Sequence, residues 1–331
     1  MAAWEAEKDR TVCVTGAGGY LASWLVKLLL SRHYTVHATL RNPDDEKYVH
    51  LKKLDKAAEN LKLFKADLLD YNSISAAIRG CDGVFHVASP VPSGSVPNPE
   101  ARPFSIVELV EPAVKGTLNV LKACSEANVK RVVAVSSLAA VVMSPNLPEG
   151  EIIDEKCWSD GEYCKATNIW YCYSKTVAER EALQYAKETG LDVLTVCPSY
   201  VFGPMLQHDA NASSLILIKL LKEGCEETEN KFYNTVDVRD VAEALLLVYG
   251  RPEAEGRYIC SPHVTTTKDM VETLRKNYAN YKYPKRLIEV KDQSRWNISS
   301  EKLERLGWRY RPVEETLVDS VESYKQAGIL D

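Results

Sequence analysis

Short apolar and β-branched runs recur along the first two thirds of the chain. Between them lie stretches in which apolar residues return every third or fourth position. Thr11–Thr15, Thr35–Thr39, Leu61–Phe64, Gly83–Val87 and Arg131–Val135 are the runs, and each reads as a strand covered on both faces. The intervening periodicity predicts helices over Tyr20–Arg32, Lys47–Ala58, Ser73–Ile78 and Val107–Ala127, the alternation of repeated βα units. One more unit follows, a helix near Tyr171–Thr189 and a strand at Asp192–Cys197.

After Pro198 the pattern loosens. Helices are expected near Ser213–Lys222, Val238–Tyr249, Lys268–Tyr278 and Val313–Gln326, with one strand at Tyr258–Cys260. The expected fold is α/β: a doubly wound parallel Rossmann sheet over residues 8–197, then a smaller, mostly helical C-terminal substrate lobe over 198–331, from which segments can return to the sheet. Ser89–Pro103 holds five prolines and is expected to be a surface loop at the carboxyl end of the fourth strand. In open α/β sheets that edge binds ligands.

Candidate chemistry begins directly after the first run, at Thr15-Gly16-Ala17-Gly18-Gly19-Tyr20-Leu21-Ala22. Glycines at a strand-to-helix junction permit a tight turn and let a pyrophosphate rest on free N–H groups at the helix start. The common dinucleotide fingerprint has glycine where Leu21 stands; the fit here is to the variant Thr-Gly-x-x-Gly-x-x-Ala. An NAD enzyme places an acid about 20 residues on, for the ribose 2′-hydroxyl. None occurs between Tyr34 and Pro43, whereas Arg41 ends the second strand and Lys47 follows. A guanidinium there suits a 2′-phosphate, so the expected cofactor is NADP(H). Asp67 after the third strand is placed to meet the adenine edge or to cap a helix.

Past the fifth strand come Ser136 and Ser137, and 34 residues beyond Ser137 the string Tyr171-Cys-Tyr-Ser-Lys175. Tyr171 and Lys175 are i and i+4 on one helix face. A free phenol has a pKa near 10 and needs a neighbouring cation to exchange protons at neutral pH. The expected catalytic set is therefore Ser137 to orient a carbonyl oxygen, Tyr171 to protonate it and Lys175 to tune Tyr171 and hold the nicotinamide ribose.

Charge and cysteine content narrow the field. Forty-one basic against 46 acidic residues give a net charge of −5, with no basic stripe, which argues against nucleic acid as partner. Met1–Arg10 carries five charges and no apolar run, so no secretory or membrane-spanning segment is expected and a cytoplasmic setting is. The nine cysteines form no Cys-x-x-Cys pair, so no metal site is expected. Cys157 and Cys164, seven apart, are the pair to test for a bridge.

These features resemble the extended short-chain dehydrogenase/reductases. Longer strings sharpen the likeness: Thr15–Trp24, Arg41–Asp45, Gly83–Pro90, Glu111–Val114, Cys157–Asp160 and Trp170–Lys175 are similar to plant cinnamoyl-CoA reductases and their dihydroflavonol reductase relatives. The resemblance spans about Val12 to Tyr324. It implies Ser137, Tyr171 and Lys175 as catalytic triad, and an NADP site lined by Gly16, Gly19, Tyr20, Leu21, Arg41, Lys47, Asp67, Leu68, Ala88, Lys175, Pro198 and Ser213. It further implies a small phenylpropanoid substrate, without nucleic-acid or membrane partners, in a monomer or homodimer. With a CoA thioester, hydride addition gives a hemithioacetal that expels CoA and leaves an aldehyde; with an aldehyde it gives an alcohol.

Departures from the family pattern bear on that choice. CoA-reducing members carry a histidine three residues before a lysine after Asn-Ala-Ser, and later a His-Arg pair. Here Asn211-Ala212-Ser213 and Lys219 are present, but Ile216 and Thr267 stand at the histidine and arginine positions. Their absence favours a free hydroxycinnamaldehyde, and both substrates stay open, with dihydroflavonols third. A segment at Arg102–Ile106 is atypical and is expected near the site mouth. Trp158, Tyr163, Tyr173, Phe202 and Met205 are candidates for a ring-binding pocket or for plain core.

Overall fold

A computed structural model describes residues 10–89, 109–147, 150–222, 224–290 and 296–331. The proline-rich segment beyond Ser89 and the Arg102–Ile106 segment lie outside them. The strands that the apolar runs predict are β1 (Thr11–Val14), β2 (Thr35–Leu40), β3 (Leu61–Lys65), β4 (Gly83–His86), β5 (Arg131–Val135) and β6 (Val193–Pro198). All pair in parallel, in the order β3-β2-β1-β4-β5-β6. Every residue of β4 and β6 is buried, whereas edge strand β3 is largely half-exposed. Cover on both faces is why the central strands read as unbroken apolar runs rather than alternating ones.

Helices sit on the two faces. α1 (Tyr20–Ser31) buries Ala22, Leu25, Val26, Leu29 and Leu30, the i, i+3, i+4 stripe of an amphipathic helix, and ends where His33 turns left-handed at φ 66°. The opposite face carries α2 (Tyr71–Ile78), α3 (Glu111–Glu126) and α4 (Trp170–Thr189), with α3 packed between the other two. The single helix expected over Lys47–Ala58 is a 3₁₀ turn at Glu46–Tyr48 and two four-residue turns, Val49–Lys52 and Ala57–Asn60, broken where Lys56 sits at φ 61°. Leu51 and Ala57 are both buried; on one continuous helix they would point about 120° apart. The break lets both face the core.

The C-terminal part holds α5 (Ala212–Lys222), α6 (Val238–Gly250), α7 (Thr267–Asn277) and α8 (Val313–Gln326), close to the predicted spans. It also holds a three-stranded sheet that the apolar pattern does not announce. That sheet is β7 (Tyr200–Phe202) parallel to β8 (Phe232–Asp237), which is antiparallel to β10 (His263–Thr266). β8 reads Phe-Tyr-Asn-Thr-Val-Asp and buries Asn234, Thr235 and Asp237, so its polar residues hide it. β9 (Arg257–Cys260) pairs with β6 and completes a seven-stranded parallel sheet, and α6 packs beside α1 on its face. Among the described residues no helix is long and apolar enough to cross a membrane.

Candidate active site

The carboxyl edge of the sheet gathers the chemistry. β1 leads into Thr15 and Gly16, β2 into Arg41, β4 towards Ala88, β5 into Ser136 and Ser137, and β6 ends at Pro198. Gly16 has φ +64°, and a Cβ there would lie 2.9 Å from the Ala88 Cβ. Its N–H donates to Thr39 Oγ1 at 3.1 Å and the Ala17 N–H to the Thr39 carbonyl at 3.1 Å, so β2 holds the turn. Gly19 caps α1, whose first turn carries no acidic side chain. The N–H groups of Tyr20, Leu21 and Ala22 have no carbonyl behind them in the helix. A glycine cradle ending in an uncancelled helix N-terminus fits a pyrophosphate. Gly16→Ala is expected to lose about 1–2 kcal/mol from the left-handed backbone, before the Ala88 overlap; denaturant unfolding reads the loss.

The other expected cofactor residues divide. Tyr20 turns its side chain inward, its hydroxyl donating to the Gly203 carbonyl at 2.8 Å, so it offers a cofactor its backbone. Arg41 is exposed and forms no ion pair among the described residues, whereas Lys47 is paired with Asp45 at 2.8 Å. Asp67 accepts from the Leu69 N–H, closing a local turn, and Asp70 is the residue that caps α2. Leu68 is half-buried, its carbonyl accepting from Asn119 Nδ2. The Ala88 N–H donates to Thr15 Oγ1 at 3.0 Å. Ser213 donates to the Val201 carbonyl near the start of α5.

Ser137, Tyr171 and Lys175 converge. Tyr171 lies in the first turn of α4, where burial raises its pKa and the neighbouring Ser137 hydroxyl opposes that rise. The Lys175 ammonium lies 6.0 Å from the centre of the Tyr171 ring. Lys175 is 7% exposed, and burial brings its pKa down to about 8, with Glu179 opposing the drop. Ser137 Oγ also accepts the Ala139 N–H at 3.2 Å, so its rotamer is set locally.

Four residues not singled out by the sequence belong to this centre. His86, buried at the end of β4, bridges Thr15 Oγ1 at 3.0 Å and Thr117 Oγ1 at 3.2 Å. Burial, then the Lys175 charge, holds its pKa down to about 3, so the ring is neutral. Tyr200, 49% exposed, lies within electrostatic range of Tyr171 and meets Tyr233 edge-on at 5.2 Å. Glu179 and Arg257 form a buried ion pair behind Lys175. The signal for Tyr200 was its place two residues past the end of β6; nothing in the spacing marked Arg257.

The aromatic candidates for pocket or core divide. Phe202 and Met205 are core of the C-terminal part, packed with Leu217, Val238 and Met270. Trp158 lies under the Arg257 guanidinium at 3.5 Å, and Tyr173 lies against Lys165 and Trp170. Ile216 packs against that same core, and Thr267 is buried, tied to the Glu229 carbonyl and the Lys231 N–H. Cys157 and Cys164 are both free thiols.

Fold and site together define an oxidoreductase of the extended short-chain dehydrogenase/reductase type. The chain belongs to the NAD dependent epimerase/dehydratase family, whose model matches residues 12–260. It is similar to cinnamoyl-CoA reductase 1 of Petunia hybrida, at 47% identity over 97% of this chain and 94% of that protein. Among solved structures it is similar to vestitone reductase from alfalfa, with a TM-score of 0.80 and 30% identity over 97% of this chain and 99% of that one. It is likewise similar to Gre2 of Candida albicans in complex with NADPH, at a TM-score of 0.80 and 27% identity, covering 96% of this chain and 99% of that one.

Proposed function

We propose that the protein is an NADPH-dependent reductase of phenylpropanoid carbonyls, of the cinnamoyl-CoA reductase type. The observation that carries this reading is the convergence of Ser137, Tyr171 and Lys175 at the sheet edge that also holds the glycine turn and Arg41. Bound NADPH supplies the hydride. Gly16, Gly19 and the start of α1 would hold the pyrophosphate, and Arg41 would hold the 2′-phosphate. Ser137 donates a hydrogen bond to the carbonyl oxygen, Tyr171 protonates that oxygen as charge develops, and Lys175 keeps the phenol acidic enough to do so. The resemblance to cinnamoyl-CoA reductases over nearly the whole chain makes a hydroxycinnamoyl-CoA thioester the leading substrate.

A second reading rests on one observation. Ile216 and Thr267 are taken up in packing and backbone hydrogen bonds, so neither offers a polar anchor to a CoA carrier, and a free hydroxycinnamaldehyde needs none. NADPH oxidation by purified protein, with feruloyl-CoA in one cuvette and coniferaldehyde in another, separates the two. Thioester turnover is expected under the leading reading. Turnover of the aldehyde alone assigns the protein to alcohol formation, and turnover of neither removes the phenylpropanoid assignment.

A further inference from the structure

Lys175 is followed one helical turn later, on the same face of α4, by a second buried charge with more partners than a structural ion pair requires. Glu179 is 3% exposed. Its Oε2 accepts from Ser136 Oγ at 2.7 Å and Arg257 Nη2 at 3.1 Å; its Oε1 accepts from Thr195 Oγ1 at 2.6 Å, Arg257 Nε at 2.9 Å and Cys197 Sγ at 3.4 Å. These partners come from β5, β6 and β9, so one carboxylate ties α4 to the strand end that carries Ser137. Arg257 is fixed in turn, donating to the carbonyls of Glu155 and Cys157 at 3.0 and 2.8 Å and lying on the Trp158 ring.

We propose that Glu179, braced by Arg257, is a positioning residue for the reaction: its negative charge faces the Lys175 ammonium from behind, and its hydrogen bonds set the distance between Ser137 and Tyr171. This rests on the proposed reductase reading for its catalytic meaning but not for its electrostatics. Among the described residues, the titratable groups facing Lys175 are Tyr171 and Glu179 on α4, His86 on β4 and Cys197 on β6, with Arg257 on β9 behind Glu179. His86 stays neutral down to about 3, and burial pushes the Cys197 thiol up, so neither brings a charge near pH 7. Among the described residues Glu179 is left as the charge that opposes the desolvation of Lys175.

The test reads Lys175 directly. Protein labelled with ¹³C at the lysine ε-carbon is titrated by NMR, the Lys175 signal being assigned through Lys175→Arg, in the native chain, in Glu179→Gln and in Glu179→Gln with Arg257→Met. The double variant leaves no unpaired guanidinium and carries the test if the single variant does not fold. Lys175 is expected to titrate roughly one pH unit lower in the double variant and further down in the single one, where Arg257 stands uncompensated. The alkaline limb of kcat should move with it while KM for NADPH changes little. An unchanged Lys175 titration in both variants, whatever their melting temperatures, overturns the proposal and leaves the pair purely structural. Failure of the reductase reading would show instead as a native enzyme inactive on both carbonyl substrates, with the NMR shift intact.

Discussion

Tyr171→Phe is expected to reduce kcat by roughly 10²–10⁴-fold, the range for loss of a positioned general acid, and to leave the Kd for NADPH nearly unchanged. The change removes one oxygen and keeps the ring that packs at the start of α4. The lost group is the hydroxyl that neighbours Ser137, on a ring whose centre lies 6.0 Å from the Lys175 ammonium. Turnover and fluorescence titration of NADPH on the same sample separate the two quantities; a matching loss of cofactor affinity would make Tyr171 a binding residue. The native enzyme carries a pH signature of the same arrangement. Burial brings the Lys175 pKa down to about 8, and under the proposed mechanism Lys175 acts on Tyr171 as an ammonium, so reduction is expected to be fastest below that value and to fall as pH rises through it. Tyr171→Phe should lose the slope along with the rate.

What the sequence made legible follows from what each residue must do locally. Strands β1, β2 and β4 to β6 were visible because burial on both faces leaves little room for polar positions, and Tyr171 with Lys175 because one helix turn links them covalently. The ion pair of Glu179 was half legible: i+4 from Lys175 places it on the same face, but its partner Arg257 comes from a strand 78 residues away. β8 was hidden by buried Asn234, Thr235 and Asp237, whose polarity mimics a surface loop. The Lys47–Ala58 helix failed for the opposite reason. Its local pattern was helical, and the requirement that Leu51 and Ala57 both reach the core overrode it.

Arg41→Ala is expected to raise KM for NADPH roughly 10–100-fold, the loss of charge-assisted hydrogen bonds worth about 1.5–3 kcal/mol, and to change KM for NADH little. The geometry behind this begins at Thr39, which holds the glycine turn through the N–H groups of Gly16 and Ala17. Arg41, two residues further along the end of β2, is thereby set beside the turn that would cradle a dinucleotide. Lys47, the other cation near that edge, is already engaged by Asp45 and leans over the Tyr48 ring. Lys47→Ala should therefore cost much less. Since Arg41 is exposed, its contribution should weaken as ionic strength rises, and the NADPH-to-NADH preference of the native enzyme should narrow with salt while that of Arg41→Ala stays flat. Equal loss for both cofactors, or a preference insensitive to salt, would place the 2′-phosphate elsewhere.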